Sequence, residues 1–243
     1  MARAEITTAG RGSRRMLLAA AVVCLAVLAA AGARLARETL RGPTAAERSA
    51  ASAAEVAARW RAWPAGRLFP GVLRYSLDQG GPEDARRVGI APDTTCQDAV
   101  DAALGPSLAV RGCRGALRAT YLDQLQGIAV TLGVVAFPDE PSARGAAPWF
   151  PRRGAVAPGL RALGFPGSVV ARFGDASRQA TALAQRGPYL VAATVGYADG
   201  RPTLRAGRLQ DDLTELGPQL VEAVLRPLAA PAAVRCGERE WAC

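Results

Sequence analysis

The chain has 243 residues, a formal net charge of +9 and a pI near 10.3, and all 30 of its basic residues are arginine, with no lysine and no histidine. Without an imidazole, Ser-His-Asp and Cys-His catalysis are excluded, and without a lysine ammonium so are Schiff-base, Ser-Lys and P-loop chemistry. Arginine used alone, with plentiful Ala, Gly and Pro, is the mark of a GC-rich coding bias, so the high pI is partly compositional; with no recognition motif it does not point to nucleic acid.

Residues 1–15 read as a short polar cytoplasmic tail. The run MLLAAAVVCLAVLAAAGA, residues 16–33, is uncharged and is flanked by Arg14 and Arg15 on one side and Arg34 and Arg37 on the other. As a helix it spans roughly 27 Å at ~1.5 Å per residue, and arginines snorkelling at both ends complete a membrane crossing. The rival is a cleaved signal peptide, for which Ala31-Gly32-Ala33 is an acceptable site, but the apolar run reaches Ala33 with no polar stretch before it and favours an uncleaved signal-anchor. Cys24 follows Val23, which rules against a lipobox and leaves it an apolar filler. Arginines before and after the span balance, so the positive-inside rule returns a tie. Cys96, Cys113, Cys236 and Cys243 break it: an even set with no CxxC predicts structural disulfides in an oxidising compartment. The expected topology is single-pass in the plasma membrane, N-terminus cytoplasmic and C-terminal domain extracytoplasmic.

Residues 34–63 are expected to form an Ala-rich stalk helix. Thr44-Ala-Ala-Glu47 has the form of a capping box after Pro43, and Val56, Trp60 and Trp63 fall on one face that would dock on the domain. The alternative is an interfacial helix turning Arg48, Arg59 and Arg61 toward lipid.

Residues 64–243 are long enough for one core. Strands are expected within 68–77, at 116–123 and 128–137, and at 168–173, 179–185 and 189–197. Thr94 or Thr95 caps a helix over 96–104, stopped by Gly105-Pro106, and Asp139 opens another to about Ala147. A long amphipathic helix covers 203–228 with Leu209, Leu213, Leu216, Leu220 and Val224 on one stripe, kinked or split at Gly217-Pro218. The 128–137 strand is apolar on both faces and belongs mid-sheet. The fold class is therefore α+β: a mainly antiparallel sheet with helices packed on one face, preceded by one transmembrane helix and the stalk. Four cysteines allow three pairings, and proximity favours Cys96–Cys113 and Cys236–Cys243.

For catalysis only carboxylate pairs remain, Asp98 with Asp101, Asp139 with Glu140, and Asp211 with Asp212, and each is better explained as a helix first turn complementing the dipole or as the ordinary coat of a helix. No metal or cofactor pattern is present: the cysteine spacings are not those of a zinc site. Trp149, Phe150, Arg152 and Arg153 combine aromatics and arginines in a loop, a composition suited to partner contacts, although the reading favoured over it tucks Trp149 and Phe150 into the core and leaves the arginines solvated. The layout of anchor, stalk and disulfide-stapled domain resembles single-span envelope proteins of high-GC Gram-positive bacteria. More distantly, the pattern over 96–228 resembles the extracellular sensor domains of mycobacterial-type serine/threonine kinases, without a kinase domain. The reading is a non-enzymatic extracytoplasmic binding or adaptor domain whose partner is another membrane or cell-envelope protein. The alternatives are a carboxylate-dependent envelope hydrolase and a structural envelope protein.

Overall fold

The computed structural model describes residues 11–77, 81–93, 95–151, 155–202 and 211–236. The chain divides into two units, residues 1–48 and residues 49–242.

In the first unit, helix α1 (Arg11–Leu40) runs through the expected span and on past Arg34 and Arg37. Its stretch Arg15–Leu40 is long and apolar enough to cross a membrane. Met16, Leu17, Val22, Leu25 and Leu28 are all exposed on it, a surface that water does not favour and hydrocarbon does. The predicted capping box opens α2 (Ala45–Ala62). Thr44 Oγ1 accepts from the Glu47 amide at 3.2 Å, and the Glu47 carboxylate accepts from the Thr44 amide at 2.7 Å. A hydrogen bond from the Arg41 guanidinium first, then those from Thr44, pull the Glu47 carboxyl down to about 2.

The second unit is built on a six-stranded, wholly antiparallel sheet in the order β1-β2-β3-β4-β6-β5. Its strands are β1 (Val72–Ser76), β2 (Pro82–Ile90), β3 (Gly115–Leu122), β4 (Ile128–Ala136), β5 (Arg178–Arg186) and β6 (Tyr189–Tyr197). β4 lies between β3 and β6, and almost every residue of β4 and β6 is buried, as a strand apolar on both faces requires.

Alternation divides these residues between two cores. Val130, Leu132, Val134, Val191, Ala193 and Val195 face Leu213, Leu216, Leu220, Val224 and Leu228 of the last helix, which is described over Asp211–Ala229. This is the expected stripe; Leu209 and the rest of 203–210 lie outside the described residues. The helix runs through Gly217-Pro218 without a break. A Cβ on Gly217 would lie 3.1 Å from Val195 Cγ2 and 3.3 Å from Ala182 Cβ, so this glycine marks close approach of helix to sheet rather than a helix end, and that packing offsets the one hydrogen bond the proline forgoes.

α2 joins the same core through Val56, Trp60 and Trp63. Arg59, only 6 % exposed, points into the protein and not toward lipid. Its Nη1 donates to the carbonyls of Pro227, Leu228 and Ala230 at 3.2, 3.0 and 2.6 Å, and its Nε donates to Glu55 at 2.8 Å. Those carbonyls are the unpaired end of the last helix, where a cation is favoured by both hydrogen bonding and dipole. Tyr189 Oη donates to the Val56 carbonyl, and burial pushes that hydroxyl up to about 12. The second half of the stalk is thus an integral part of the domain.

The other face is covered by short elements: α4 (Cys96–Ala99), α5 (Gly105–Val110) and α6 (Glu140–Ala146) over Val135, Leu190 and Ala192, following the single turn α3 (Ala65–Leu68). Gly105-Pro106 opens α5 instead of ending a longer helix, a correction that suits proline, which is tolerated in a first turn where its missing N–H costs nothing. Between these helices and the β2 side, an irregular strap, residues 159–165, crosses the sheet. Three fully buried threonines, one each from β3, β4 and β6, hold it. Thr194 donates to Leu160 O at 2.6 Å, Thr120 donates to Leu163 O at 2.6 Å, and Thr131 accepts from Leu163 N at 2.9 Å. A Cβ on Gly133 would lie 2.3 Å from Leu160 Cδ1, so only glycine lets the strap down onto β4. Beyond the strap, 168–173, expected as a strand, is a series of turns closed by Ala171 N to Ser168 O and Phe173 N to Val170 O. Its apolar residues Val170 and Phe173 are core, with Leu122, Ala129 and Ala198.

Replacing Arg59 by Met keeps the apolar stem and strips the helix end of its donors; urea denaturation is expected to show a loss of about 3 kcal/mol. Cys96 and Cys113 are bonded across a sequence separation of 17, and the double change Cys96→Ser/Cys113→Ser is expected to cost about 3 kcal/mol in the same measurement.

Candidate functional site

The Cys96–Cys113 bridge ties the start of α4 to the turn that follows α5. That turn is fixed twice over. Gly112 takes φ 77°, and the amides of Gly112 and Cys113 bond back to Ala109 O and Leu108 O at 2.9 and 3.0 Å, the left-handed glycine being what a helix end of this form requires. Arg111, the residue capping α5, is therefore held on a rigid base.

Opposite it stands α6, capped by Asp139, whose Oδ1 accepts from the Ser142 amide at 2.8 Å. Hydrogen bonds from the side chain and then the backbone of Ser142, with a smaller attraction from Arg114, hold the Asp139 carboxyl below its ordinary range. Ala143 and Ala146 bury one side of α6, and a single 3-10 turn, Ala147–Trp149, leads out of it. Trp149 ends that turn half-buried, packed partly on the second core. The Arg111 guanidinium lies over the indole, 5.4 Å from the ring centroid. Gly145 makes this possible: a Cβ there would lie 2.9 Å from Arg111 Nη1 and 3.1 Å from Cζ.

Of the four residues expected in a partner-binding loop, the structure leaves Trp149 at the surface. Phe150 is 3 % exposed and belongs to the core with Leu108, Phe137 and Leu160, a correction to its placement at a binding surface. Arg152 and Arg153 lie outside the described residues. The residue that sequence reasoning missed is Arg111, far from Trp149 along the chain. Its one local trace is Gly145, a glycine inside a helix where alanine is the better helix former.

The carboxylates considered for catalysis serve separate structural ends. Asp98 accepts from Thr95 at the start of α4. Asp101 forms a two-pronged ion pair with Arg178, 2.8 and 3.2 Å, and accepts from the Gly159 amide at the head of the strap. Glu140 pairs with Arg144. The side chains of Asp211 and Asp212 lie outside the described residues. A cavity of about 10 Å³ is lined by Phe150, Leu160, Thr181, Leu183 and Ala192. It suits one water molecule, where a small-molecule site has roughly 300–1,000 Å³. Cys236 is disulfide-bonded; Cys243, its expected partner, lies outside the described residues. Compared with family models, curated proteins and solved structures, the chain finds no match in any of the three.

Because the folded-state pKa of Asp139 is depressed, its contribution to capping α6 is present above the unfolded value of about 3.9 and is lost as pH falls through the lower folded value. In an NMR titration the Ser142 amide shift is expected to move with a midpoint below about 3.9, and a midpoint at or above that value would contradict the assigned cap.

Proposed function

We propose that this chain is a single-pass protein of the plasma membrane, N-terminus cytoplasmic, whose extracytoplasmic domain binds another membrane or cell-envelope protein and catalyses no reaction. The anchor reading is supported by α1, long, apolar and exposed on all sides. An oxidising location for the domain is supported by the Cys96–Cys113 disulfide. The observation that carries binding is the Arg111–Trp149 surface, which is held in place by a disulfide, a helix cap and a glycine, and whose guanidinium makes no hydrogen bond or ion pair within the described residues. Arginine and tryptophan are the residue types that most often dominate protein interfaces.

Alkaline phosphatase, active only after export, is expected to work when fused after Cys243 and to be inactive when fused before Met1; the reverse pattern sinks the topology. Cross-linking the full-length protein in its own membrane, followed by mass spectrometry, is expected to return one near-stoichiometric membrane or envelope partner. Self-cross-links alone would overturn the adaptor reading.

A further inference from the structure

Among the described residues of α5, α6 and the turn that follows α5, the arginines Arg111, Arg114 and Arg144 differ in their engagement. Arg144 pairs with Glu140 on its own helix, one turn away. Arg114 lies near enough to Asp139 to draw its carboxyl down. Arg111 has neither: it stacks on Trp149 above Gly145 with its planar fork of donors unmatched by any described side chain or carbonyl. A guanidinium fixed in this way has already lost much of the rotamer freedom that binding would otherwise remove, and its fork matches a carboxylate in two parallel hydrogen bonds. Val110, the residue before it, is 85 % exposed, an apolar side chain open to a partner next to Arg111 in the chain.

We infer that Arg111 and Trp149 form the docking point for an acidic protein segment, with an Asp or Glu carboxylate on Arg111 and the neighbouring apolar side chains of that segment against Trp149 and Val110. The inference rests on the adaptor reading above and gives it a surface and a partner chemistry. Of these three described arginines, Arg144 is paired with Glu140 and Arg114 has Asp139 as an acidic neighbour, whereas Arg111 has no acidic partner among the described residues. The mixture of apolar and cationic groups selects protein over a polyphosphate chain. A phosphate polymer would use the guanidinium and gain nothing from Trp149 or Val110, whereas an acidic peptide buries both.

The test uses the full-length protein in nanodiscs of neutral lipid. A fluorescein-labelled peptide of alternating Glu and Leu and labelled polyphosphate serve as probes, with binding followed by the anisotropy of the label and circular dichroism verifying the fold of every variant. The Glu-Leu peptide is expected to bind saturably and to weaken at least tenfold in Arg111→Gln and in Trp149→Ala, while Arg144→Gln stays within twofold. Gly145→Ala leaves the charge intact and only displaces Arg111; it is expected to weaken binding several-fold, an effect that loss of net charge cannot mimic. Absence of binding, binding unaffected by Arg111→Gln, or tighter binding of polyphosphate would each overturn the inference. Membrane cross-linking with Arg111→Gln separates the two readings. A partner captured by the wild type and retained undiminished by the variant overturns this surface and leaves the adaptor reading standing, whereas a wild type that captures none overturns the adaptor reading itself.

Discussion

A sheet in which β4 and β6 are apolar on both sides can leave neither face in water, and the rest of the domain answers that constraint. One face of β4 and β6 is closed by the long C-terminal helix with α2 beside it; the other is closed by three short helices and the strap. The second solution needs more devices because the strap has no internal backbone ladder, and a buried peptide group without a partner costs free energy. Thr120, Thr131 and Thr194 supply those partners from three adjacent strands, and Gly133 removes the side chain that would hold Leu160 away. The threonines that interrupt the apolar pattern of the central strands are thus the attachment points of their cover.

A basic complement made only of arginine has shaped the interior as well as the surface. Arg59, Arg118 and Arg178 are buried, and each meets a carboxylate: Glu55, Asp93 and Asp101. All three also donate to carbonyls that no strand or helix serves, Arg59 at a helix end and Arg118 and Arg178 along the strap, at Arg161 and Leu160. A planar guanidinium with several donors can do both at once, where an ammonium acts as a single point of charge. Arg118 does so less completely: its Nε is the one buried side-chain nitrogen or oxygen among the described residues without a hydrogen-bond partner.

Where local signals and tertiary packing agree, the sequence was readable. Strands β3 to β6, the Thr44–Glu47 capping box, the Asp139 cap, the Cys96–Cys113 bridge and the docking face of α2 all follow from period, capping chemistry or spacing. β2 was not visible because Pro-Glu-Asp-Ala-Arg-Arg carries charge on both sides of the strand and owes its pairing to β1 and β3. The strand expected at 168–173 was read from apolar content alone; closely spaced turns bury Val170 and Phe173 just as well. The Arg111–Trp149 surface had the weakest trace, since it is an encounter between two segments joined only through the fold. Arg59 had no local signal for its partner: its neighbours in the chain allow a lipid-facing alternative, and only the arrival of the last helix shows the carbonyls it meets.

That pairing also sets the order in which the domain can close. Arg59 and its carbonyl partners at Pro227, Leu228 and Ala230 stand 168 to 171 residues apart, and Ser52 accepts from the amide of Ala232 across 180. A nascent chain emerging at roughly 5–20 residues per second exposes α2 on the order of ten seconds before the helix it clasps has been made. Through that interval the sheet face lined by Tyr121, Leu132 and Val191 has no lid, whatever the state of the strands themselves. A chain truncated before residue 211 would therefore be an open-faced sheet beside an unclasped helix, a substrate for quality control instead of a smaller domain.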